Sequence, residues 1–438
     1  MKTALLFHRL GPYHVARLEA AAQLGATTAI ELSAETGEYA WDKIGGAKTF
    51  QRVTLFPEGD SRAASPQEVQ ARVSRALNEC HPQIVAIPGW SDPGALAALD
   101  WCLRSHVPAV LMSESTAHDE RRVWWKEFIK RRMVGLYSTA LVGGRAHASY
   151  LQRLGMSPER IFTGYDVVDN GHFQKAESKK QKAEISGSPP STAHRPPSID
   201  PPYFLASARF IEKKNLPVLL QAYAEYREKA ESGKQKAEVR SQKSETRDTS
   251  SADPLISDFR PPTSDLWDLV LLGDGPLRPA LKSQILNLNL HDWVHLPGFK
   301  QYDELPEYYA GASAFIHAST SEQWGLVVNE ALAAGLPVLV SNRCGCVPEL
   351  VREGVNGFTF DPRSRSDLAD LMATMAARPA DELARFGRAS REIIAQFSPT
   401  RFAEGLLQAA GLAHALPRRR AGVFDRLLLQ RLIRRGKS

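Results

Sequence analysis

At 438 residues, 43% of them hydrophobic, the chain can bury two domain-sized cores, and its net charge of +6 is modest for that length. No recognised nucleic-acid-binding module accompanies the charge, so nucleic acid is not an expected partner. The four cysteines, Cys80, Cys102, Cys344 and Cys346, do not make a secreted disulfide framework, and Cys344-x-Cys346 lacks a second half with zinc spacing, so free thiols in a reducing cytosol are expected.

Residues 3–7 form a predicted strand; the apolar run there is too short for a signal peptide, and no run in the chain is long enough to span a bilayer. A loop over 8–14 leads to an amphipathic helix over 15–25, with Val15, Leu18, Ala22 and Leu24 apolar. Apolar runs at 84–87, 109–112 and 140–142 have the character of parallel strands. The loops at 88–92 and 113–119 lie beyond strand carboxyl ends, where open α/β sheets bind ligands. Two near-repeats, 175–184 and 229–238, each run into a Ser/Pro/Asp-rich tract too poor in apolar residues to order itself, and both are expected to be disordered insertions. Residues 203–206 are the next strand, 207–215 a loop and 216–227 a helix. Arg209 and Lys214, five positions apart on that loop, can converge on one anion, the first as a fork and the second as a point charge. Strands over 269–272 and from Val294 each end in a glycine turn, Gly273-Asp274-Gly275 and Gly298-Phe299-Lys300.

The segment 315–361 carries the most chemistry. It reads as strand, loop, helix, strand and loop, with Glu322 in the first loop, Gly325 opening the helix and Glu330 within it. N–H groups around Gly325, Leu326 and Val327 lack intrahelical partners and offer an anion site for a diphosphate. Glu330 can accept two hydrogen bonds from a ribose diol, and Glu322 can accept from sugar hydroxyls. Each glutamate alone also fits a plainer role, Glu322 as a solvated loop residue and Glu330 as a surface helix residue.

Three further features accompany that pair: the helix end and strand ALAAGLPVLVS, the loop Gly345-Cys346-Val347-Pro348-Glu349, and the glycine turn Glu353-Gly354-Val355-Asn356-Gly357-Phe358. In this order and spacing, the segment resembles the donor-site signature of retaining glycosyltransferases of family 4 (glycosyl transferases group 1). The resemblance implies an α/β protein of the GT-B type, two facing Rossmann-like domains with a C-terminal helix crossing back to the first. It implies that Arg209 and Lys214 contact the donor diphosphate, and that backbone around Gly298, Phe299 and Lys300 receives the nucleobase. It implies that Gly11 lets backbone approach the donor phosphate and acceptor; His14, in the same loop, can reach toward the acceptor or be a plain loop residue. Ala208 and Asn215 stand where the family often has glycine; Asn tolerates left-handed backbone. Family members often place a histidine directly after the 109–112 strand; here Ser113-Glu114 stand there, with His118 just beyond. Glu114 and His118 are therefore both candidates for the first domain's part in catalysis. The resemblance implies no essential metal and no cofactor beyond the nucleotide-sugar substrate, and no DxD-type acidic pair is placed for a metal.

The expected organisation is an acceptor-side domain over 1–172, a linker with insertion over 173–202, and a donor domain over 203–395 interrupted at 228–264. A crossover helix and basic tail fill 396–438. The expected reaction is transfer of a sugar from a nucleotide-diphosphate donor to a glycan or lipid-linked acceptor with retention of configuration. A nucleotide-sugar hydrolase, epimerase or phosphorylase on the same fold, or a non-catalytic nucleotide-sugar-binding scaffold, are the alternatives. Basic residues mix with Trp, Phe, Leu and Ile at 121–132 and in the C-terminal tail. Each fits a solvated helix face, or attraction to an anionic membrane surface or to a lipid-linked or anionic acceptor, so a cytoplasmic placement and a peripheral one at the inner face of the membrane are both open.

Overall fold

The computed structural model describes residues 1–35, 49–119, 122–175, 202–244 and 266–435. Residues 176–201 and 245–265, which hold most of the expected insertions, lie outside them. The chain forms two compact units, one of Met1–Asn170, Gln323–Asn329 and Ile394–Ser438, the other of Gly171–Glu322 and Glu330–Ile393.

The first unit is built on seven parallel strands: β1 (Thr3–Phe7), β2 (Thr27–Ser33), β3 (Gln51–Phe56), β4 (Ile84–Pro88), β5 (Ala109–Ser113), β6 (Thr139–Val142) and β7 (Ile161–Thr163). They lie in the order β3-β2-β1-β4-β5-β6-β7. Side chains alternate between two apolar layers. Ala4, Leu6, Val85 and Ile87 face one layer, and Leu5, Phe7, Ile84 and Ala86 face the other. A strand buried on both faces reads as a continuous apolar run, which is why β1, β4, β5 and β6 are legible in the sequence.

β2 and β3 are not, because β2 buries polar residues. Glu31 has no exposed surface, and its carboxylate accepts from Leu10 N at 2.8 Å, Thr54 Oγ1 at 2.9 Å and Arg52 Nη2 at 2.8 Å. The first helix runs Pro12–Leu24, so the loop expected over 8–14 is shorter than that. Proline suits a helix's first turn, where its missing N–H costs nothing and its φ is already helical. The last long helix, Pro399–Ala415, packs against this one: Phe402, Leu406, Ala409 and Ala413 share a cluster with Leu18 and Ala21. Thr139 Oγ1 donates to Ala409 O at 2.9 Å and ties that helix to β6.

The second unit carries six parallel strands: β8 (Tyr203–Ser207), β9 (Asp268–Leu272), β10 (Val294–Gly298), β11 (Ala314–His317), β12 (Val338–Ser341) and β13 (Gly357–Phe360). Their order is β10-β9-β8-β11-β12-β13. Chain order reverses between β8 and β11, which makes a crevice between the loops that follow those two strands. The helix after β8 spans Leu216–Ser244 rather than ending near Arg227. Glu, Lys, Ala, Gln and Arg dominate its far half and favour helix, and Lys229 pairs with Glu225 one turn back at 3.1 Å and with Asp370 at 2.6 Å.

Candidate functional site

The loops beyond β8 and β11 bring a cation and a carboxylate together. Lys214 ends a short 3-10 turn, Glu212–Lys214, in the first loop. Asn215 follows in left-handed backbone at φ 59°, the conformation expected of a residue standing where glycine is usual. Its side chain donates to Pro362 O at 2.8 Å and anchors the turn. Glu322 comes from the second loop and forms an ion pair with Lys214 Nζ; both side chains are 12% exposed. Lys213 Nζ stands 3.7 Å from the other carboxylate oxygen.

Two buried side chains on the β11 side complete the cluster. Ser319 Oγ lies 3.3 Å from Glu322 Oε2 and 3.2 Å from His317 Nε2, and His317 Nε2 lies 3.5 Å from the same carboxylate oxygen. Burial pushes the Glu322 carboxyl up, but the His317 hydrogen bond and the Lys214 charge outweigh it, and the group sits well below the ordinary carboxylate range. Burial also lowers His317, against the pull of Glu322. At neutral pH His317 is therefore a neutral donor, and Lys214 supplies the balancing charge.

The sequence reading assigns Lys214 to a diphosphate and Glu322 to sugar hydroxyls; the structure sets the two against each other. Arg209 stands exposed in the loop after β8. Glu330 is not a surface residue: it is 1% exposed, and Tyr309 Oη donates to its carboxylate at 2.5 Å. Burial and the Glu330 charge hold the Tyr309 hydroxyl protonated. Gly325 adopts φ +108°, and the helix beyond it begins at Leu326.

The glycine turn after β10 keeps Gly298 at φ +88°. Phe299 beside it is 37% exposed. Lys300 Nζ pairs with Glu304 at 3.2 Å. Among the described residues, no group of three or more His, Cys, Asp or Glu is placed to hold a metal ion, and all four cysteines are buried thiols.

In the first unit, Gly11 precedes the Pro12–Leu24 helix with an ordinary φ of −118°. A Cβ there would meet nothing nearer than His14 Nδ1 at 3.7 Å, so the fold itself does not require glycine. His14 accepts from Gly11 N at 3.0 Å and packs on Phe7. Burial, with Arg17's charge second, lowers its pKa to about 3, so it is a neutral cap for the helix. The loop after β5 is held by Asp119, which accepts from Thr116 N at 2.7 Å. His118 is exposed there.

Glu114 leans toward Asp166, a residue not singled out from the sequence. Asp166 is 1% exposed. Burial raises its carboxyl well above the ordinary range; Glu114 pushes it the same way, and Arg17 opposes. Arg17 Nη2 stands 4.0 Å away, and no N–H or O–H donor among the described residues satisfies either Asp166 oxygen. Two carboxyls can hydrogen-bond each other only if one keeps a proton. The signal in the sequence was a lone aspartate inside the apolar run Tyr165-Asp166-Val167-Val168. Around it, Asn329 Nδ2 donates to Asp166 O at 3.1 Å, Trp324 Nε1 donates to Asn329 Oδ1 at 2.8 Å, and His147 Nε2 lies 3.0 Å from Gln323 O. These contacts seat the Gln323–Asn329 segment in the first unit.

Two parallel α/β sheets, each with polar side chains gathered beyond its central strands, and a last long helix on the first unit's opening helix define the GT-B architecture. Crystal structures share it: Anabaena Alr3699/HepE in complex with UDP-glucose superposes with a TM-score of 0.63 at 17% identity, over 95% of this chain and 100% of that one. Residues 255–393 match the family Glycosyl transferases group 1. Sulfoquinovosyl transferase SQD2 of Arabidopsis thaliana is 34% identical over 128 residues, 28% of this chain and 24% of that protein. Alpha-monoglucosyldiacylglycerol synthase of Acholeplasma laidlawii is 36% identical over 92 residues, 21% of this chain and 23% of that protein. The chain thus spans about a quarter of the length of these curated relatives. No helix among the described residues is long and apolar enough to cross a membrane.

Proposed function

We propose that the protein is a retaining glycosyltransferase that moves a sugar from a nucleotide-diphosphate donor to a glycan or lipid-linked acceptor. The observation that carries this reading is the Lys214–Glu322 ion pair, delivered by the two loops that flank the switch point of the second sheet. Paired with each other, the two side chains keep a part-buried site neutral. A donor diphosphate takes Lys214 and engages Arg209 of the same loop, which releases Glu322 to accept from sugar hydroxyls. Lysine and arginine then stabilise the charge that grows on the departing diphosphate, the largest contribution in many transfer reactions. The first turn at Gly325, Leu326 and Val327 adds N–H donors. Glu330, already oriented by Tyr309, receives the ribose diol, and backbone at Gly298 to Lys300 receives the base. Gly11 leaves room for ligand to approach the first unit's backbone, and Glu114 or His118 serves the acceptor side.

UDP-glucose is the first donor to test, since HepE binds it in the superposed crystal structure. A thermal-shift panel of UDP, GDP, ADP and their sugars, on wild type and Arg209→Ala, tests the reading. One nucleotide at a hundredfold excess over its Kd stabilises the wild type by about 2.7 kcal/mol, and the variant loses the shift. No shift with any nucleotide sinks the donor site. Rapid release of free sugar without acceptor replaces transfer with hydrolysis.

A further inference from the structure

We propose that two helices of the first unit, Trp124–Val134 and Val423–Arg435, form one docking face for an anionic lipid surface. This goes beyond the donor-site reading, and the failure of either leaves the other standing. The two segments are far apart in sequence, and each alone fits a solvated helix. Folding joins them: the Phe128 and Phe424 rings meet edge to face at 6.4 Å, and Arg132 Nη2 pairs with Asp425 Oδ1 at 2.6 Å.

Their outward face is apolar where a solvated helix would be polar. Trp124 is 82% exposed, Trp125 48% and Phe128 49%; Val423 is 78% exposed, Phe424 54% and Leu427 67%. These six are half of all the large exposed hydrophobic side chains among the described residues. The second helix meets the body of the unit through Asp425, Leu429 and Ile433, spaced four apart, so its exposed apolar residues are not a misplaced core stripe.

Charge selects the occupant. Each helix carries four basic residues against one acid. Both acids are already engaged, Asp425 by Arg132 and Glu127 by Lys130 and Arg122. Lys126, Arg131, Arg426, Arg431 and Arg434 are exposed beside the apolar residues. Tryptophan and phenylalanine next to basic side chains suit the headgroup boundary of an anionic bilayer, where rings enter the acyl edge and cations meet lipid phosphates. A protein partner would need acidic complementarity and a fitted apolar surface, whereas a bilayer needs only these two components side by side.

Co-sedimentation of the full chain with vesicles of phosphatidylcholine, alone and with phosphatidylglycerol, tests this. Binding is expected to the anionic vesicles only, and to weaken in about 1 M salt, where screening acts within about 3 Å. The triple variant Trp124→Ser, Phe424→Ser, Leu427→Ser is expected to lose at least tenfold in partitioning. So is Arg131→Glu with Arg426→Glu, which changes only exposed positions and serves if the triple variant fails to fold. The nucleotide-induced thermal shift of both should match wild type. Equal binding to neutral and anionic vesicles, or undiminished binding by both variants, overturns the proposal. So does a wild-type dimer in sedimentation velocity that the variants abolish without any vesicle binding, which would assign the face to a second copy of the chain.

Discussion

Two carboxyls, a part-buried one in the second unit and a buried one in the first, sit near the carboxyl ends of parallel strands and are driven in opposite directions. Glu322 is held low because the neighbouring loops bring it a lysine, a histidine N–H and a serine hydroxyl. Asp166 is held high because burial is joined by a second carboxyl, Glu114, while its cation, Arg17, stops 4.0 Å short. Burial penalises both carboxylates, so burial alone does not set ionisation. The partners that the adjacent loops deliver decide it. The first cluster is a charged pair; the second is a carboxyl pushed toward its protonated form.

The largest expected effect tests the first half of that contrast. Lys214→Met should lower kcat about 10²–10³-fold, the range for removing one group that stabilises transition-state charge. Steady-state kinetics with the donor found by thermal shift gives the answer, and unchanged turnover would make the pair purely structural. Next comes acid sensitivity. Glu322, lowered, adds stability above about pH 4.3, the value of a free Glu, that is lost as pH falls through its lower folded value. His317, kept neutral in the fold, must be protonated against burial, so loss begins below its ordinary 6.5. In melting curves at stepped pH, His317→Gln should remove a loss of Tm that opens below about pH 6.5, and Glu322→Gln should remove the part of the fall below about pH 4. Superimposable acid limbs would contradict the assignment.

Two smaller effects sharpen the first unit's side. Gly11→Ala should cost less than about 1 kcal/mol in a denaturant melt, since its backbone is extended and its Cβ space is open. Turnover should still fall about tenfold, or about 1.4 kcal/mol, if ligand approaches there. Full activity would leave the glycine without a role. Asp166→Asn should be the mildest change, within about 1 kcal/mol, because a carboxyl already held protonated resembles an amide. The raised carboxyl weakens the fold as pH climbs from about 4 toward its folded value, and the variant should lose that slope. A cost of about 3–5 kcal/mol in urea would show instead an ionised Asp166 whose loss strands Arg17.

Much of the sheet structure could be read ahead. β1, β4, β5, β8 and β9 were visible as apolar runs, because strands covered on both faces need no polar alternation. β2 hid behind Thr27, Thr28, Glu31 and Ser33, whose burial is possible only through cross-strand partners such as Arg52 and Thr54. Glu322, Glu330, Lys214 and Arg209 were legible as types in a pattern. Asp166 is not legible, because a single aspartate among valines carries no periodic signal.

What the sequence by itself determined is local and repetitive: the parallel α/β class, the glutamate pair around a helix start, and the glycine turns. Each follows from side-chain period or backbone freedom within a few residues. What only the tertiary structure decided is pairwise. It set Lys214 against Glu322, Asp166 against Glu114, Tyr309 on Glu330, and Phe128 on Phe424. Charge state, exposure and partner depend on which distant loop arrives at the same place. Strand order controls that arrival, and no local propensity encodes it.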